Sequence, residues 1–188
     1  MSQKYSTQNE LLMKTMCTFY NKNNNKNIDR ILPIINGESP TSLRLIDWFV
    51  TNYSKKFYTT LQFNDMQGNK KRFKVYQDYK LRLKAYSKKR FDPFCRWDRI
   101  NLPYKEGTFI QTTLGQLNFF RWALENKVID YIENNSSQIN NDMNKRNSTA
   151  KNKKKNEGNQ TRKKREELSI SATKTIKKEN VEIVVKFN

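Results

Sequence analysis

Thr113-Leu114-Gly115-Gln116-Leu117-Asn118-Phe119-Phe120-Arg121-Trp122 is the stretch whose reading decides the fold. A threonine three residues before a glutamine fits a capping box, with Thr113 accepting from the Gln116 amide and Gln116 reaching back, so a helix starts here. Leu117, Phe120, Leu124, Val128 and Tyr131 then mark one face, flanked by Leu114, Trp122, Ala123, Ile129 and Ile132, until Asn134-Asn135-Ser136-Ser137 ends it. A helix apolar over so much of its circumference belongs at the centre, with the other elements laid against it.

Working outward toward the N-terminus, residues 76 to about 90 predict a second helix. Tyr76, Tyr79, Leu83 and Tyr86 share one face, while Lys80, Arg82, Lys84, Lys88 and Lys89 occupy the remainder. It cannot continue past Asp92-Pro93, because proline disfavours helical geometry in the residue before it. Residues 91–105 are the least regular part. Asp92 and Asp98 are candidates to orient Arg96 or Arg99 by charge-assisted hydrogen bonds, and an internal ion-pair network competes there with phosphate contact. Residues 57–64 alternate like a strand and 72–75 alternate again across Gly68-Asn69, which predicts a hairpin with Lys70, Lys71 and Arg72 at its tip. A further helix begins after Ser39 or Ser42, with Leu43, Ile46, Val50, Tyr53 and Phe57 repeating at three and four.

The ends read differently. Residues 1–38 form an N-terminal extension: a modest helical candidate over 9–20, an Asn-rich linker, and a short apolar piece over 28–35. Residues 135–178 read as a disordered basic linker, because 140–165 have a composition that cannot bury enough surface to fold alone, with 166–178 a candidate short helix. Residues 179–188 end in Val181-Glu182-Ile183-Val184-Val185-Lys186-Phe187, an alternating strand that pairs with the hairpin or adds to a partner's sheet. The expected class is α+β: a small domain over 39–134 with three principal helices and a basic β-hairpin.

Thirty-seven Lys and Arg against 18 Asp and Glu give a net charge of +19 in 188 residues. The excess is not uniform. Between Lys70 and Lys105 thirteen basic residues stand against three acids, interleaved with Phe73, Tyr76, Tyr79, Tyr86, Phe91, Phe94, Trp97 and Tyr104. That is too many rings for a disordered arm and too many cations for an ordinary core, so a folded polyanion-binding surface is expected. Exposed members of Trp97, Tyr86 and Phe94 would stack on unpaired bases, although core packing competes for the same rings.

Catalysis is not expected. The chain contains no histidine and only five glycines, and neither phosphate-loop glycine pattern occurs, so the commonest general base and nucleotide cradles are missing. The scattered acids nominate no carboxylate dyad or magnesium site. Cys17 and Cys95 have no neighbouring Cys or His, which suggests neither a zinc site nor a disulfide framework and fits a reducing, intracellular compartment. No cofactor, metal, small-molecule substrate or membrane span is expected.

The blocks Leu43-Arg44-Leu45-Ile46-Asp47-Trp48-Phe49-Val50-Thr51-Asn52-Tyr53, Lys84-Ala85-Tyr86-Ser87-Lys88-Lys89-Arg90-Phe91-Asp92-Pro93-Phe94 and Thr113–Trp122 resemble a group of small basic proteins of nucleocytoplasmic large DNA viruses, the giant viruses. The resemblance covers about residues 43–132. It carries no site with it and implies a virion or viral-factory setting.

The functional expectation is a non-catalytic, largely sequence-independent nucleic-acid binder, with DNA favoured. Lys70, Lys71, Arg72, Lys80, Lys84, Lys88, Lys89, Arg90, Arg96 and Arg99 would neutralise phosphates. The clusters Lys153, Lys154, Lys155 and Arg162, Lys163, Lys164, Arg165 would add avidity or serve nuclear import. A minor capsid or core component that meets acidic protein neighbours is the main alternative, with RNA binding a third.

Overall fold

The computed structural model describes residues 7–22, 25–64, 68–105, 107–156 and 177–179. Thr7 opens the first helix with a reciprocal cap: its hydroxyl accepts from the Glu10 amide at 3.3 Å and the Glu10 carboxylate accepts the Thr7 amide at 3.0 Å. Helix α1 (Gln8–Tyr20) buries Leu12, Met16 and Tyr20 at four-residue spacing. The Tyr20 hydroxyl donates to the Leu117 carbonyl at 2.8 Å, which fastens α1 to the central helix. Helix α2 (Lys26–Asn36) buries Ile28, Ile31, Leu32, Ile34 and Ile35 and closes at Gly37, whose φ of +74° suits glycine. Residues 7–36 supply part of the main core, because apolar side chains at helical spacing on α1 and α2 find their partners on α6 and its neighbours.

Ser42, rather than Ser39, caps α3 (Leu43–Trp48), accepting from Leu45 at 3.1 Å. The helix then widens into a π-helical turn at Phe49–Tyr53 before a last turn, α4 (Ser54–Lys56). The widened turn keeps Phe49, Val50 and Tyr53 all buried, with the Phe49 ring 5.3 Å from Tyr131 and 5.8 Å from Tyr53.

Strands β1 (Thr60–Asn64) and β2 (Lys70–Lys74) form the expected antiparallel hairpin, with Leu61 opposite Phe73 and both buried. Lys70, Lys71 and Arg72 lie along β2 rather than at the tip, since the ladder continues as far as Asn64 opposite Lys70. β2 leads directly into α5 (Val75–Arg90). A second hairpin pairs β3 (Arg99–Pro103), which lies in the stretch 91–105 that read as irregular, with β4 (Phe109–Thr113), and β4 likewise leads directly into α6 (Leu114–Glu125). Each long helix thus grows from the second strand of a hairpin. A short strand, β5 (Lys177–Glu179), adds antiparallel to β4. The alternating stretch 181–187 lies outside the described residues, as do Arg162, Lys163, Lys164 and Arg165.

α6 is central, as its composition requires: Leu114 through Phe120 form an unbroken buried run. It does not extend to Ile132 as one helix. Asn126 and a left-handed Lys127 (φ 56°) break it, and α7 (Val128–Asn134) restarts with Val128, Ile129 and Ile132 buried. Residues 136–156, which lie within the expected disordered linker, form α8 (Ser136–Asn156). Ile139 and Met143, one turn apart, are buried in the core, and Asp142 accepts from Trp48 Nε1 at 3.2 Å and from Lys56 Nζ at 2.5 Å. Two apolar residues and one well-placed carboxylate are enough to dock a helix that its polar composition conceals. The α+β class holds, with more helices than the three expected.

Candidate nucleic-acid interface

The site starts from a break in α5. Ser87 has φ 62° and ψ 167°, so the backbone leaves helical geometry there and Lys88, Lys89 and Arg90 form a turn set off from the helix above. A serine with positive φ is strained, and such a residue persists only where its surroundings fix it. Three contacts do so here, two from the start of α6 and one from the loop that follows the turn. Asn118 Nδ2 donates to the Arg90 carbonyl at 2.8 Å, the Cys95 thiol donates to the Lys89 carbonyl at 3.3 Å, and Gly115 abuts both. A Cβ added at Gly115 would lie 2.8 Å from the Lys89 carbonyl oxygen and 2.9 Å from Cys95 Sγ, a close approach that only glycine permits.

The following loop is fixed by the same helix end. Gln116 Nε2 donates to the Pro93 carbonyl at 2.9 Å, Thr113 Oγ1 donates to the Cys95 carbonyl at 3.1 Å, and the Gly115 carbonyl accepts the Asp92 amide at 3.2 Å. Thr113 does cap α6, accepting the Gln116 amide at 3.2 Å. The Gln116 side chain, expected to complete a capping box, instead holds the loop through Pro93 and accepts from the Thr112 hydroxyl at 3.1 Å. Beneath lies an aromatic cluster in which the Phe119 ring is 5.5 Å from Phe91, 5.5 Å from Trp122 and 6.4 Å from Tyr79.

Turn and loop enclose an open groove of about 680 Å³ lined by Lys88, Lys89, Asp92, Phe94, Cys95, Arg96 and Trp97. Lys88, Lys89 and Arg96 are exposed, Phe94 is half-buried, Cys95 is buried, and the Trp97 ring stands 73% exposed. The acids do not take the expected roles. Asp92 accepts the Phe94 amide at 2.8 Å rather than an arginine, and Asp98 pairs with Lys89 at 3.4 Å. Both partners of the Lys89–Asp98 pair are well exposed, so it competes weakly with an incoming anion. Lys88 and Arg96 form no ion pair among the described residues.

The other expected cations are not gathered here. Arg90 is half-buried and tied to α1, with Nε donating to Asn9 at 2.7 Å and Nη1 to Gln8 at 2.9 Å. Arg99 donates to Gln111 across its hairpin at 2.7 Å. Lys80 and Lys84 are exposed on α5, and Lys70, Lys71 and Arg72 are exposed on β2. Twelve helical residues run from Val75 through Tyr86. At about 1.5 Å each they span roughly 18 Å, so the hairpin cations form a second patch. Lys153, Lys154 and Lys155 fall on the last turns of α8. Tyr86 packs at 6.3 Å against Phe91, which leaves Trp97 as the free ring among the three stacking candidates.

Below the cations lies a pair of acids that the sequence did not mark as related. Burial raises the Asp47 carboxyl, Asp92 raises it further, and Lys88 offsets part of the shift. Burial likewise raises Asp92, against the Phe94 amide and Lys88. Tyr79 is pushed up to about 12 by burial and then by the same two acids. A carboxyl that holds its proton more tightly in the native than in the unfolded chain costs stability above its native pKa. That cost is relieved as pH falls through the native value toward the unfolded one. Asp47→Asn should therefore raise the urea midpoint at pH 8, with the gain shrinking through the acid range and gone below about 3.9, the unfolded value. A gain that stayed constant with pH would mean that the charge of Asp47 is not its source.

Among the described residues no helix is long and apolar enough to cross a membrane, and no cluster of three or more His, Cys, Asp or Glu could hold a metal ion. The chain is similar to the uncharacterized protein L507 of Acanthamoeba polyphaga mimivirus, 45% identical over 118 residues, covering 60% of this chain and 45% of that protein. The match thus spans less than half of the relative's length. It supports the resemblance to an uncharacterised group of giant-virus proteins. No solved structure matches. A family model matches residues 1–188 throughout, and the chain belongs to that family, the family of unknown function DUF7197.

Proposed function

We propose that this protein is a non-catalytic nucleic-acid binder, largely indifferent to sequence and directed mainly to DNA, in a virion or viral factory. The observation that carries the reading is the convergence of Lys88, Lys89, Arg96 and the exposed Trp97 on one groove. Exposed cations, Lys88 and Arg96 without an ion pair among the described residues and Lys89 in a solvent-open pair with Asp98, neutralise phosphates at little desolvation cost, and a net charge of +19 raises the local concentration of any polyanion. The patch at Lys70, Lys71 and Arg72 extends the positive face, and the mimivirus relative supports a viral setting in which the genome is the abundant polyanion.

The test is a fluorescence-anisotropy titration of the full chain with labelled oligonucleotides between about 50 and 200 mM salt. Three groove phosphates on a single strand contribute about −0.7 each to the log–log slope, so a slope of about −2 or steeper is expected. A slope near zero, or no binding at the low-salt end, would rule the reading out.

A further inference from the structure

We infer that the groove between the Lys88–Arg90 turn and the Asp92–Trp97 loop is a single-strand site that stacks one unpaired base on the Trp97 indole. This deepens the nucleic-acid reading and rests on it.

The chain contains three tryptophans, and two have internal uses. Trp122 is 3% exposed and its Nε1 donates to Asp78 at 2.7 Å. Trp48 is half-buried and its Nε1 donates to Asp142 at 3.2 Å. Trp97 makes no ring contact and no side-chain hydrogen bond among the described residues, and its 73% exposure leaves a large apolar face in water. The fold nevertheless fixes its backbone. Cys95 is buried just before it, against Gly115, with its thiol 3.9 Å from the Trp97 carbonyl. Just after it Asp98 takes the left-handed conformation (φ 53°) and pairs with Lys89. A large ring held on a fixed backbone and left uncovered is a preorganised platform, so little ordering cost remains when a flat ligand covers it.

The charges orient that ligand. Lys88, Lys89 and Arg96 hold phosphates at the rim. Asp92, half-buried in the groove lining with its Oδ1 accepting the Phe94 amide, repels a phosphate and leaves its part of the groove to an uncharged group. A base fits that description, and its π face is free only when it is unpaired, because in a duplex its neighbours in the stack cover it.

The experiment compares the full chain with Trp97→Ala and Trp97→Phe, titrated with a labelled single-stranded DNA, the same sequence as duplex, the equivalent RNA, and inorganic polyphosphate as a competitor without bases. The expected result is preference for single strands and a roughly 5- to 150-fold loss in Trp97→Ala, the range for one base stack, with Trp97→Phe recovering part of it. The salt slope should not change, since no phosphate contact is removed. Unchanged urea midpoints would show that the variants fold. Single-strand affinity in Trp97→Ala equal to wild type, duplex binding as tight as single strand, or displacement by polyphosphate as effective as by oligonucleotide would each overturn the inference. A wild-type slope of −2 or steeper under those outcomes would leave general nucleic-acid binding standing, whereas loss of all binding would end both. The RNA arm tells whether a 2′-hydroxyl is accepted at the platform.

Discussion

Replacing Lys88, Lys89 and Arg96 together by glutamate is expected to weaken oligonucleotide binding at about 50 mM salt by about a hundredfold or more and to flatten the salt slope by about two. Three attractive phosphate contacts vanish and three repulsive charges take their place at one groove. The fold should survive, because all three side chains are exposed and the Lys89–Asp98 pair, open to solvent, is worth at most about 1 kcal/mol. The informative control is the triple Lys70→Glu, Lys71→Glu, Arg72→Glu. It changes the net charge identically but acts on β2, at the opposite end of α5. If the groove is the contact, the β2 triple loses distinctly less affinity. Equal losses from both triples would mean that binding follows the overall field and that the groove has no special part.

Truncating Phe119 should have the largest effect on stability. Phe119→Ala is expected to cost about 3–5 kcal/mol, read as a lower urea midpoint with an unchanged m-value. The ring is fully buried and meets Tyr79, Phe91, Phe120 and Trp122, so it joins α5, the groove loop and α6 at one point. A cavity there cannot collapse easily, because each neighbouring ring is held by others. A domain of this size has about 5–15 kcal/mol in total, so the variant should lie near the edge of folding at 37 °C. Leu81→Ala, on the outer face of α5 and 66% exposed, should shift the midpoint by no more than about 0.5 kcal/mol. A Phe119→Ala cost as small as that of Leu81→Ala would mean that the aromatic cluster does not hold the groove together.

Local signals carried most of what could be read in advance. Thr113 as a cap, the aromatic face of α5 and the Leu61–Phe73 pairing all depend on residues within a few turns or one hairpin of each other, where capping and periodicity act. The misread places share one cause. Residues 28–35 read as a short apolar piece, residues 91–105 as irregular, and residues 135–178 as a disordered linker. α2 is stabilised by the core it enters, the β3–β4 hairpin by α6 on one side and β5 on the other, and α8 by Ile139 and Met143. α2 and α8 find their core partners, and β4 finds β5, far away in sequence.

The candidate site divides in the same way. Composition alone determined that the stretch from Lys70 to Lys105 would be cationic and aromatic, because charge and ring count do not depend on conformation. Which cations meet was decided by tertiary structure. Gly115 lets the Lys89 carbonyl and Cys95 press against α6, Asn118 takes the Arg90 carbonyl, and Ser87 is held out of the helix. Lys88 and Lys89 thereby face Arg96 and Trp97 across a groove, while Arg90 turns away to α1. The reason is physical: a strained backbone and a close approach exist only when distant segments together satisfy the polar groups they displace, and no local pattern in the sequence records that balance.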